Sequence, residues 1–486
     1  MSGAPRPPRI AVVGAGFGGL CAAIQLLRAG FDDLFLLEKA ERVGGTWREN
    51  TYPGAACDTP SFAYCFSFFQ KKDWTRKWAQ QPEILAYIED LAREYDLLPR
   101  IRFGAELASA RWESGRWHLT MKGGATEVVD VLVSSVGQLN RPLVPAIPGL
   151  DTFGGPAFHT AEWDHSFDPR GKRVAVVGTG ASAIQVVPEL AREASQLVLF
   201  QRSPNWILPK NDRFYGPLER LAHQHVPGVA RAYRSWLWAF YEVRYPAILG
   251  EPITSWVAKE ICSRHLRAQV ADPALRRALT PTYPVAAKRV LTSDDYYPAV
   301  ARSNVTLVSD AVGRIEPGAV VAPSGRRFEV DAIVFATGFR STELLAPMEL
   351  FGVGGQRLAD VWRDGAFAYL GVRVSGFPNL FLVYGPNTNL GHNSILFMIE
   401  SEVHYVVETL RAMRARGLAW TDVRVSAQQA FCDRLQARLG RTVWAEVERS
   451  WYKTAAGRIT NNWVGSTTEY FLRTRRVDLD DYELGR

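Results

Sequence analysis

The sequence predicts an α/β protein with two Rossmann-like dinucleotide-binding domains and a helical insertion in the second. Two segments, 9–38 and 173–202, each have the pattern of a strand, a glycine turn, a helix and a second strand. Two later apolar segments, 131–136 and 332–335, end in small residues, as buried parallel strands of such sheets do, and each has the pattern of the last strand of its nucleotide-binding domain. The stretch 206–285 has helical periodicity, many aromatic residues and no strand pattern.

The first unit opens with β-branched residues and closes on a carboxylate. Its expected elements are a strand at 9–13, a helix at 20–28 and a strand at 33–37, which ends at Glu38. Three glycines join the first strand to the helix. Gly14 permits the tight turn, Gly16 lets the backbone approach a pyrophosphate, and Gly19 lets the helix pack closely on the strands. The start of the helix then presents unpaired N–H groups to the phosphate.

The second unit repeats this order. Its expected elements are a strand at 173–177, a helix from residue 184 and a strand at 197–200. Gly178, Gly180 and Ala183 take the three positions of the turn, and Ser182 lies between them as a further phosphate contact. A single glycine pattern of this kind is weak evidence, but two copies in the same strand and helix context indicate two nucleotide sites.

The residue that closes each unit indicates which nucleotide that unit binds. Glu38 follows Gly14 by 24 positions, and Arg202 follows Gly178 by the same 24 positions. A carboxylate accepts hydrogen bonds from a ribose diol, which suits FAD or NAD. Arg202, with Ser203 beside it, can instead bind a 2′-phosphate, although an exposed arginine at a strand end is the alternative. The first site therefore predicts FAD and the second predicts NADPH.

These elements imply a chain that leaves the FAD domain and later returns to it. The segment 376–379 has the pattern of the return crossing. We expect the FAD-binding domain at 1–142 and again at 377–486, the NADP-binding domain at 143–376, and the helical insertion at about 207–285.

Composition excludes several other classes of protein. The chain has 486 residues, 47% of them hydrophobic, and the longest apolar runs are too short for a membrane span. Its net charge of +7 is scattered rather than gathered in patches, so nucleic acid is not an expected partner. Five cysteines without a CxxC pair argue against a disulfide scaffold or a metal site and predict a cytoplasmic protein. The sequence predicts no oligomeric state.

A glycine- and tryptophan-containing stretch at 44–58 is a candidate wall around a planar cofactor. Its candidate contacts are Gly45, Thr46, Trp47 and Asp58. Alone, the same stretch is equally compatible with a loop that holds a core tryptophan.

A third pattern is far more specific. The pattern FxGxxxHxxxWD is complete in this chain and is expected by chance only about 5 × 10⁻⁵ times at this composition. Its fixed positions are Phe153, Gly155, His159, Trp163 and Asp164. The spacing of the histidines and aspartate fits no common metal-ligand set. The pattern resembles the fingerprint of type I flavin-dependent Baeyer–Villiger monooxygenases, and the stretch at 44–58 is similar to that family's second signature.

The resemblance implies an activity. Such an enzyme uses FAD, NADPH and O2 to insert one oxygen atom next to a ketone carbonyl, giving an ester or lactone through a C4a-peroxyflavin. By this resemblance Arg289 is the catalytic residue and Asp58 holds it. Lys288 contacts NADP with Arg289, and so does Trp451, for which a core indole is the alternative. The fingerprint with His159 lies on the linker between the domains. Tyr64 is assigned to the FAD site. A guanidinium suits this chemistry because it stabilises negative oxygen in a dry pocket.

Two alternatives remain open from the sequence. A related flavin monooxygenase would oxygenate sulfur or nitrogen, and such enzymes usually differ at the positions of Trp163 and Asp164. A non-catalytic NADP(H)-binding module would bind nucleotide without stoichiometric FAD. A flavin disulfide reductase is disfavoured, because the first helix has no cysteine pair nearby.

Overall fold

The computed structural model describes residues 6–448 and 450–486. In chain order the strands are β1 (Ile10–Val13), β2 (Leu34–Leu37), β3 (Ile101–Arg102), β4 (Leu107–Glu113), β5 (Arg116–Met121), β6 (Thr126–Val129), β7 (Val131–Ser134), β8 (Ala157–His159), β9 (Arg173–Val177), β10 (Gln196–Phe200), β11 (Ile207–Leu208), β12 (Leu291–Thr292), β13 (Val305–Val308), β14 (Arg314–Glu316), β15 (Ala319–Val321), β16 (Arg327–Glu329), β17 (Ala332–Phe335), β18 (Glu349–Phe351), β19 (Leu380–Leu382), β20 (Trp420–Val423) and β21 (Tyr482–Gly485). The α-helices are α1 (Phe17–Arg28), α2 (Thr46–Glu49), α3 (Gln81–Glu94), α4 (Ala181–Glu193), α5 (Pro217–His225), α6 (Val229–Glu242), α7 (Tyr245–Ile248), α8 (Pro252–Gln269), α9 (Pro273–Ala278), α10 (Tyr296–Val300), α11 (Leu358–Val361), α12 (Ile395–Arg416), α13 (Val425–Leu439) and α14 (Thr467–Thr474).

The first parallel sheet has the strand order β19-β7-β1-β2-β3. Its central strand β1 is buried on both faces, which explains why it is a continuous apolar run rather than an alternating one. Helices α1 and α12 pack against each other beside this sheet. The turn from β1 into α1 therefore lies at the carboxyl end of a central strand, where open α/β sheets bind their ligands.

The second parallel sheet has the order β13-β10-β9-β17-β8. Its central strand β9 leads into α4 in the same way that β1 leads into α1. Two sheets, each with a glycine turn at the end of a central strand, confirm the predicted fold class. The domain boundaries at residues 142 and 377 stay a prediction.

Some elements differ from the sequence-based expectation. Helices α1 and α4 begin directly after Gly16 and Gly180, because close packing on the sheets outweighs the low helix propensity of the turn residues. Strand β7 is not the last strand of its sheet, since β19 lies beyond it at the edge. The stretch 206–285 also holds one short strand, β11, which pairs in parallel with β12, so the expectation of no strand there was wrong.

Five helices, α5 to α9, lie between β11 and β12. Helix α6 packs on residues 61–63 of the first domain, whereas α8 packs on β11 and α10 of the second. This helical layer therefore touches both parts of the molecule that carry the predicted site. In the described part of the chain, none of the helices combines the length and the apolar character that a bilayer crossing requires.

Candidate active site between two nucleotide turns

The first glycine turn is closely packed. Gly14 has φ +99°, and a Cβ there would lie 2.8 Å from the carbonyl oxygen of Ser135, so only glycine fits. A Cβ at Gly19 would collide with the Gly14 carbonyl. Gly16 precedes α1, and the helix has no side-chain cap there, so its first N–H groups can bind a phosphate.

Glu38 lies buried at the end of β2, beside this turn. Its Oε2 accepts the N–H of Ala15 at 2.8 Å, and its Oε1 accepts the N–H of Ala40 at 3.0 Å. Arg48 donates to the same Oε1 at 3.1 Å, so the buried carboxylate has a cationic partner. The sequence did not predict this arginine partner, although Arg48 stands inside the predicted stretch 44–58.

The stretch that follows Glu38 folds back onto the turn. A Cβ at Gly45 would lie 3.2 Å from the Cα of Gly16, so the two glycine segments meet backbone to backbone. Thr46 opens α2, and the indole N–H of Trp47 donates to the hydroxyl of Tyr64 at 3.1 Å. Trp47 is itself buried in the hydrophobic core of the first domain, so the stretch stays compatible both with a cofactor wall and with a loop that holds a core tryptophan.

The second glycine turn has the same geometry with more open space. Gly178 has φ +111°, and a Cβ there would collide with the carbonyl of Ala336. A Cβ at Gly180 would meet nothing within 4 Å, so this turn faces room that a ligand can fill. Ser182 is half-buried at the start of α4, and Ala183 is fully buried beneath it.

The end of β10 carries the basic residues predicted to bind a 2′-phosphate. Gln201 is buried and donates to the Ala278 carbonyl at 2.7 Å, whereas Arg202 is exposed. Lys288 donates from Nζ to Oγ of Ser203 at 3.0 Å. Burial first, and then the charge of Arg202, lower the pKa of Lys288. Two cations and a hydroxyl group therefore meet at this point.

Arg289 points the other way, toward the first domain. Its Nε donates to Oδ2 of Asp58 at 2.7 Å, across 231 positions of the chain. Burial is the strongest influence on the pKa of Asp58 and would raise it, but the charge and hydrogen bond of Arg289 bring this pKa below its ordinary value. Asp58 in turn raises the pKa of Arg289 against the effect of burial. Both groups are therefore ionised at neutral pH.

Two tyrosines that the sequence did not single out lie within electrostatic range of this ion pair: Tyr384, which is half-buried, and Tyr452, which is buried. Burial raises the pKa of Tyr384, and the charges of Arg289 and Asp58 also act on it. Burial raises the pKa of Tyr452 to about 12, and its hydroxyl lies near both charges without a hydrogen bond that meets normal geometry. The position of Tyr452 directly after the predicted Trp451 is the signal that could have identified it.

Trp451 itself is half-buried against Tyr452, with ring centroids 4.7 Å apart. Its carbonyl accepts the hydroxyl of Ser341 at 2.9 Å and the amide of Asn461 at 3.1 Å. Among the described residues, no hydrogen bond joins Trp451 to Lys288. The structure thus anchors the backbone of Trp451 near the site, and its contact with NADP stays a prediction.

The fingerprint segment is partly built into the second domain. Phe153 packs on the core of the second sheet, and a Cβ at Gly155 would collide with the Asp331 carbonyl. His159 ends β8, the edge strand of that sheet, and is buried. Its Nδ1 accepts the N–H of Ala161 at 3.1 Å. The segment is therefore not purely a linker, because its backbone completes the sheet.

The last two fingerprint residues make contacts within their own segment, and the residue that follows them reaches the first domain. Trp163 packs edge-on against Phe158, and Asp164 accepts the N–H of Ser166 at 2.9 Å. The next residue, His165, makes a 2.8 Å hydrogen bond from Nε2 to Oγ1 of Thr51. In the described part of the chain, no group of three His, Cys, Asp or Glu side chains is arranged to hold a metal ion.

A second contact joins the two domains. The Tyr52 hydroxyl donates to Oε1 of Gln185 at 2.8 Å, and the amide of Gln185 donates to the Ala56 carbonyl at 2.9 Å. This contact lies on α4, close to the second glycine turn, and on the same loop that carries Asp58. The stretch 44–58 therefore contacts both the first glycine turn and the helix that follows the second glycine turn.

His159 predicts a specific dependence of stability on pH. Burial lowers its pKa from 6.5 to about 4, partly offset by the backbone of Gly338, so the unfolded chain binds the proton more readily. The free energy of unfolding should therefore fall as pH drops from 6.5 to 4, by about 3 kcal/mol from this residue. We expect the loss to be smaller in His159→Gln, measured by urea unfolding across this range. An identical pH dependence in both proteins would contradict the buried neutral imidazole.

Comparison with known proteins agrees with this geometry. Residues 7–343 match the family model described as flavin-binding monooxygenase-like. A Baeyer–Villiger monooxygenase of Streptomyces coelicolor is 43% identical over 483 residues, which cover 98% of this chain and 93% of that protein. One from Pseudomonas aeruginosa is 41% identical over 485 residues, covering 99% of this chain and 92% of that protein.

Solved structures give the same result. An oxidized steroid monooxygenase bound to NADP superposes with a TM-score of 0.86 at 31% identity, covering 98% of this chain and 99% of that one. A closed cyclohexanone monooxygenase superposes with a TM-score of 0.87 at 28% identity, with the same coverage. The predicted assignment to the FAD- and NADP-dependent Baeyer–Villiger monooxygenases is thereby confirmed. This chain belongs to the flavin-binding monooxygenase-like family, and its relatives there include Baeyer–Villiger monooxygenases.

Proposed function

We propose that this enzyme converts a ketone into an ester or lactone. Ketone, O2, NADPH and one proton give ester, NADP⁺ and water, so one oxygen atom enters the product and the other leaves as water. The observation that carries the proposal is the Arg289–Asp58 ion pair, which joins a loop of the FAD domain to a segment of the NADP domain. When bound, FAD would supply the activation of O2, with NADPH as the source of electrons.

We assign the FAD site to the first glycine turn and the loop that folds onto it. Glu38 would accept hydrogen bonds from the ribose, because its carboxylate lies at the end of β2 beside the glycine turn. The uncapped start of α1 would bind the pyrophosphate. The residues assigned to FAD are Gly14, Gly16, Gly19, Glu38, Gly45, Thr46, Trp47, Asp58 and Tyr64.

The NADPH site is assigned to the second turn and the end of β10. Arg202 would bind the 2′-phosphate, with Lys288 and Ser203 as its neighbours. The open space at Gly180 accommodates the pyrophosphate. The residues assigned to NADP are Gly178, Gly180, Ser182, Ala183, Arg202, Ser203, Lys288, Arg289 and Trp451.

Arg289 has the catalytic role in this proposal. Oxygen transfer to a ketone develops negative charge on oxygen, and a fixed guanidinium in a site of low dielectric stabilises that charge. Asp58 orients Arg289 through a single Nε contact, which leaves the two terminal NH2 groups of the guanidinium available to the reacting oxygens. Asp58 also limits the net positive charge of the site.

The five described cysteines are buried and unbridged, which supports the proposed location in a reducing cytoplasm.

The proposal is tested by product analysis. Purified enzyme with bound flavin is incubated with NADPH and O2 and with a panel of cyclic, linear, aryl and steroidal ketones, and ester is quantified against NADPH consumed. We expect ester in proportion to NADPH for at least one ketone. A protein that oxygenates only sulfides or amines, or that consumes NADPH without forming ester, would contradict the proposed reaction.

A further inference from the structure

The chain leaves the first sheet through a strained turn. Tyr384 lies two residues after the end of β19 and has φ +60°, a conformation that residues other than glycine seldom adopt. The N–H of Val383 donates to the Ser134 carbonyl at 2.8 Å, so the turn lies at the carboxyl end of two paired strands. A Cβ at Gly18, near the start of α1, would lie 3.1 Å from Cγ1 of Val383. The turn is therefore next to the helix start assigned to FAD.

A buried acid on α12 holds this turn. Oε2 of Glu402 accepts the N–H of Tyr384 at 2.7 Å, and the Glu402 side chain is fully buried. The amide of Gln138 holds the other side, because it donates to the carbonyls of Tyr384 and Gly385 at 3.3 and 3.2 Å. A tyrosine persists in the left-handed region only where its surroundings fix it, and here two side chains do so.

Glu402 is surrounded by groups that suit a carboxylic acid better than a carboxylate. Among the described residues, no cation pairs with it. The hydroxyl groups of Thr388 and Tyr470 act on it, but the first donates to the Gly385 carbonyl at 2.9 Å and the second to the Leu370 carbonyl at 2.7 Å. Both hydroxyl protons are thus already used, and only a protonated carboxyl group can donate to these oxygens. In agreement, burial raises the pKa of Glu402 to about 8.

The side chain of Tyr384 links this turn to the predicted catalytic residue. Burial raises the pKa of the phenol and the charge of Arg289 lowers it, so the two groups interact. The phenol donates to Oδ1 of Asn389 at 2.8 Å, and Asn389 donates to Oδ1 of Asn462 at 2.6 Å. With its proton committed to Asn389, the phenolic oxygen has only lone pairs left, which favour a neighbouring cation. Such fixed dipoles help to hold a catalytic charge in place.

We propose that Glu402 is a positioning residue that fixes the turn at Tyr384 and thereby keeps the phenol of Tyr384 within range of Arg289. Its effect on ester formation rests on the proposed function, whereas its hold on the turn does not.

The proposal implies a dependence on alkaline pH. The titratable groups that face Glu402 are Cys21 on α1, Tyr470 on α14 and Tyr384 after β19, and helices α1 and α14 both pack on α12. None of the three is a cation, so an ionised Glu402 has no partner there and the turn should loosen. Below its pKa Glu402 is protonated and the turn is held. One pH unit above its pKa, roughly a tenth of the acid remains protonated.

Amide hydrogen exchange tests the hold on the turn. Deuterium uptake at Tyr384 is measured by mass spectrometry on the full chain with its flavin, without turnover. In Glu402→Leu the N–H of Tyr384 loses its acceptor, and exchange there at pH 7 should rise roughly tenfold. Glu402→Gln should exchange as the wild type does, because an amide accepts the same N–H and donates as the protonated acid does. At pH 9 the wild type should exchange faster than Glu402→Gln, a comparison that does not depend on the folding of the leucine variant.

The matched control is Asp422→Asn. Asp422 is another buried acid of the same domain, and its Oδ2 accepts the N–H of Gly376 at 2.8 Å. This variant should leave exchange at Tyr384 unchanged at both pH values. A loss of protection at Tyr384 in Asp422→Asn would show that any buried acid of this domain has the same effect, which would overturn the specific role of Glu402.

The pH dependence of ester formation tests the connection to Arg289. At pH 9 the wild type should form ester roughly tenfold more slowly than Glu402→Gln, whereas the two should be equal at pH 7. Flavin content and anaerobic reduction by NADPH should be the same in both proteins. In a Tyr384→Phe background the difference at pH 9 should become smaller, since both changes act through one phenol.

Two results would overturn the proposal. One is equal exchange at Tyr384 in the wild type and Glu402→Gln at pH 9, and the other is an equal fall in the rate of ester formation above pH 8 in these two proteins. If neither protein forms ester from any ketone, the proposed reaction has failed, and the exchange measurement still decides whether Glu402 holds the turn.

Discussion

Arg289→Ala is expected to reduce ester formation roughly 10²- to 10³-fold while the protein keeps its fold and its flavin. The side chain belongs to no core cluster, and its one hydrogen bond goes to Asp58. Reduction by NADPH should slow only modestly, because hydride transfer does not require a cation beside a developing oxygen anion. The loss should fall on the step in which negative charge appears on oxygen.

The measurement separates these two steps. Enzyme is reduced with NADPH under anaerobic conditions and then mixed with O2 and ketone, and ester is quantified after a single turnover. Arg289→Lys should restore little activity. The lysine ammonium is a single charge on a flexible chain, and it does not reproduce a planar guanidinium that is held through its Nε. Lys288→Ala serves as the neighbouring control, and its defect should lie in NADPH affinity. Ester formation by Arg289→Ala at a near wild-type rate would refute the assignment of Arg289 as the catalytic residue.

Removal of Asp58 should produce a different pattern. In Asp58→Asn the guanidinium stays charged but loses its ionic partner, so we expect a smaller loss of ester than in Arg289→Ala. Because the pKa of Asp58 lies below its ordinary value, the wild-type pair is intact at neutral pH and is lost only as the pH falls through the acid range. The rate of ester formation is measured against pH for both proteins. If the fall in rate at acid pH comes from protonation of Asp58, it should be present in the wild type and absent in Asp58→Asn.

The local parts of the fold could be predicted from the sequence. A strand, a glycine turn and a helix follow one another within about 20 residues, and the turn constrains residue type strongly, as Gly14 and Gly178 show by their positive φ and their close carbonyl neighbours. Glu38 and Arg202 could be found because each lies at a fixed distance from its turn. The pairing of Asp58 with Arg289 came from the family resemblance, since no local pattern joins positions 231 apart.

What the sequence missed is mostly set by long-range packing. Tyr384 and Tyr452 come within electrostatic range of the Arg289–Asp58 pair because distant segments converge there, and only the position of Tyr452 next to Trp451 signals it in the sequence. The exposure of Ile253 and Trp256 on α8 was missed for a related reason. Helical periodicity of apolar residues ordinarily indicates a buried face, and only the structure shows that α8 turns its stripe outward.

Arg202→Ala should weaken the preference for NADPH over NADH, raising KM for NADPH with little effect on KM for NADH. A charged hydrogen bond to a phosphate is worth about 1.5–3 kcal/mol, which corresponds to roughly a tenfold to hundredfold change. Because Arg202 is exposed, we expect the lower part of this range and a dependence on ionic strength.

Control variants test whether the effect of Arg202→Ala arises at the 2′-phosphate. Arg326→Ala removes another exposed arginine of the same domain, far along the chain from β10, and should leave both KM values unchanged. Lys288 lies against Ser203 and close to Arg202, so the double variant Arg202→Ala/Lys288→Ala should lose more NADPH affinity than either single variant. The two single effects should not add fully, since both cations would act on one phosphate. Equal losses of affinity for NADPH and NADH in Arg202→Ala would mean that the arginine supports the fold of the turn and does not bind the 2′-phosphate.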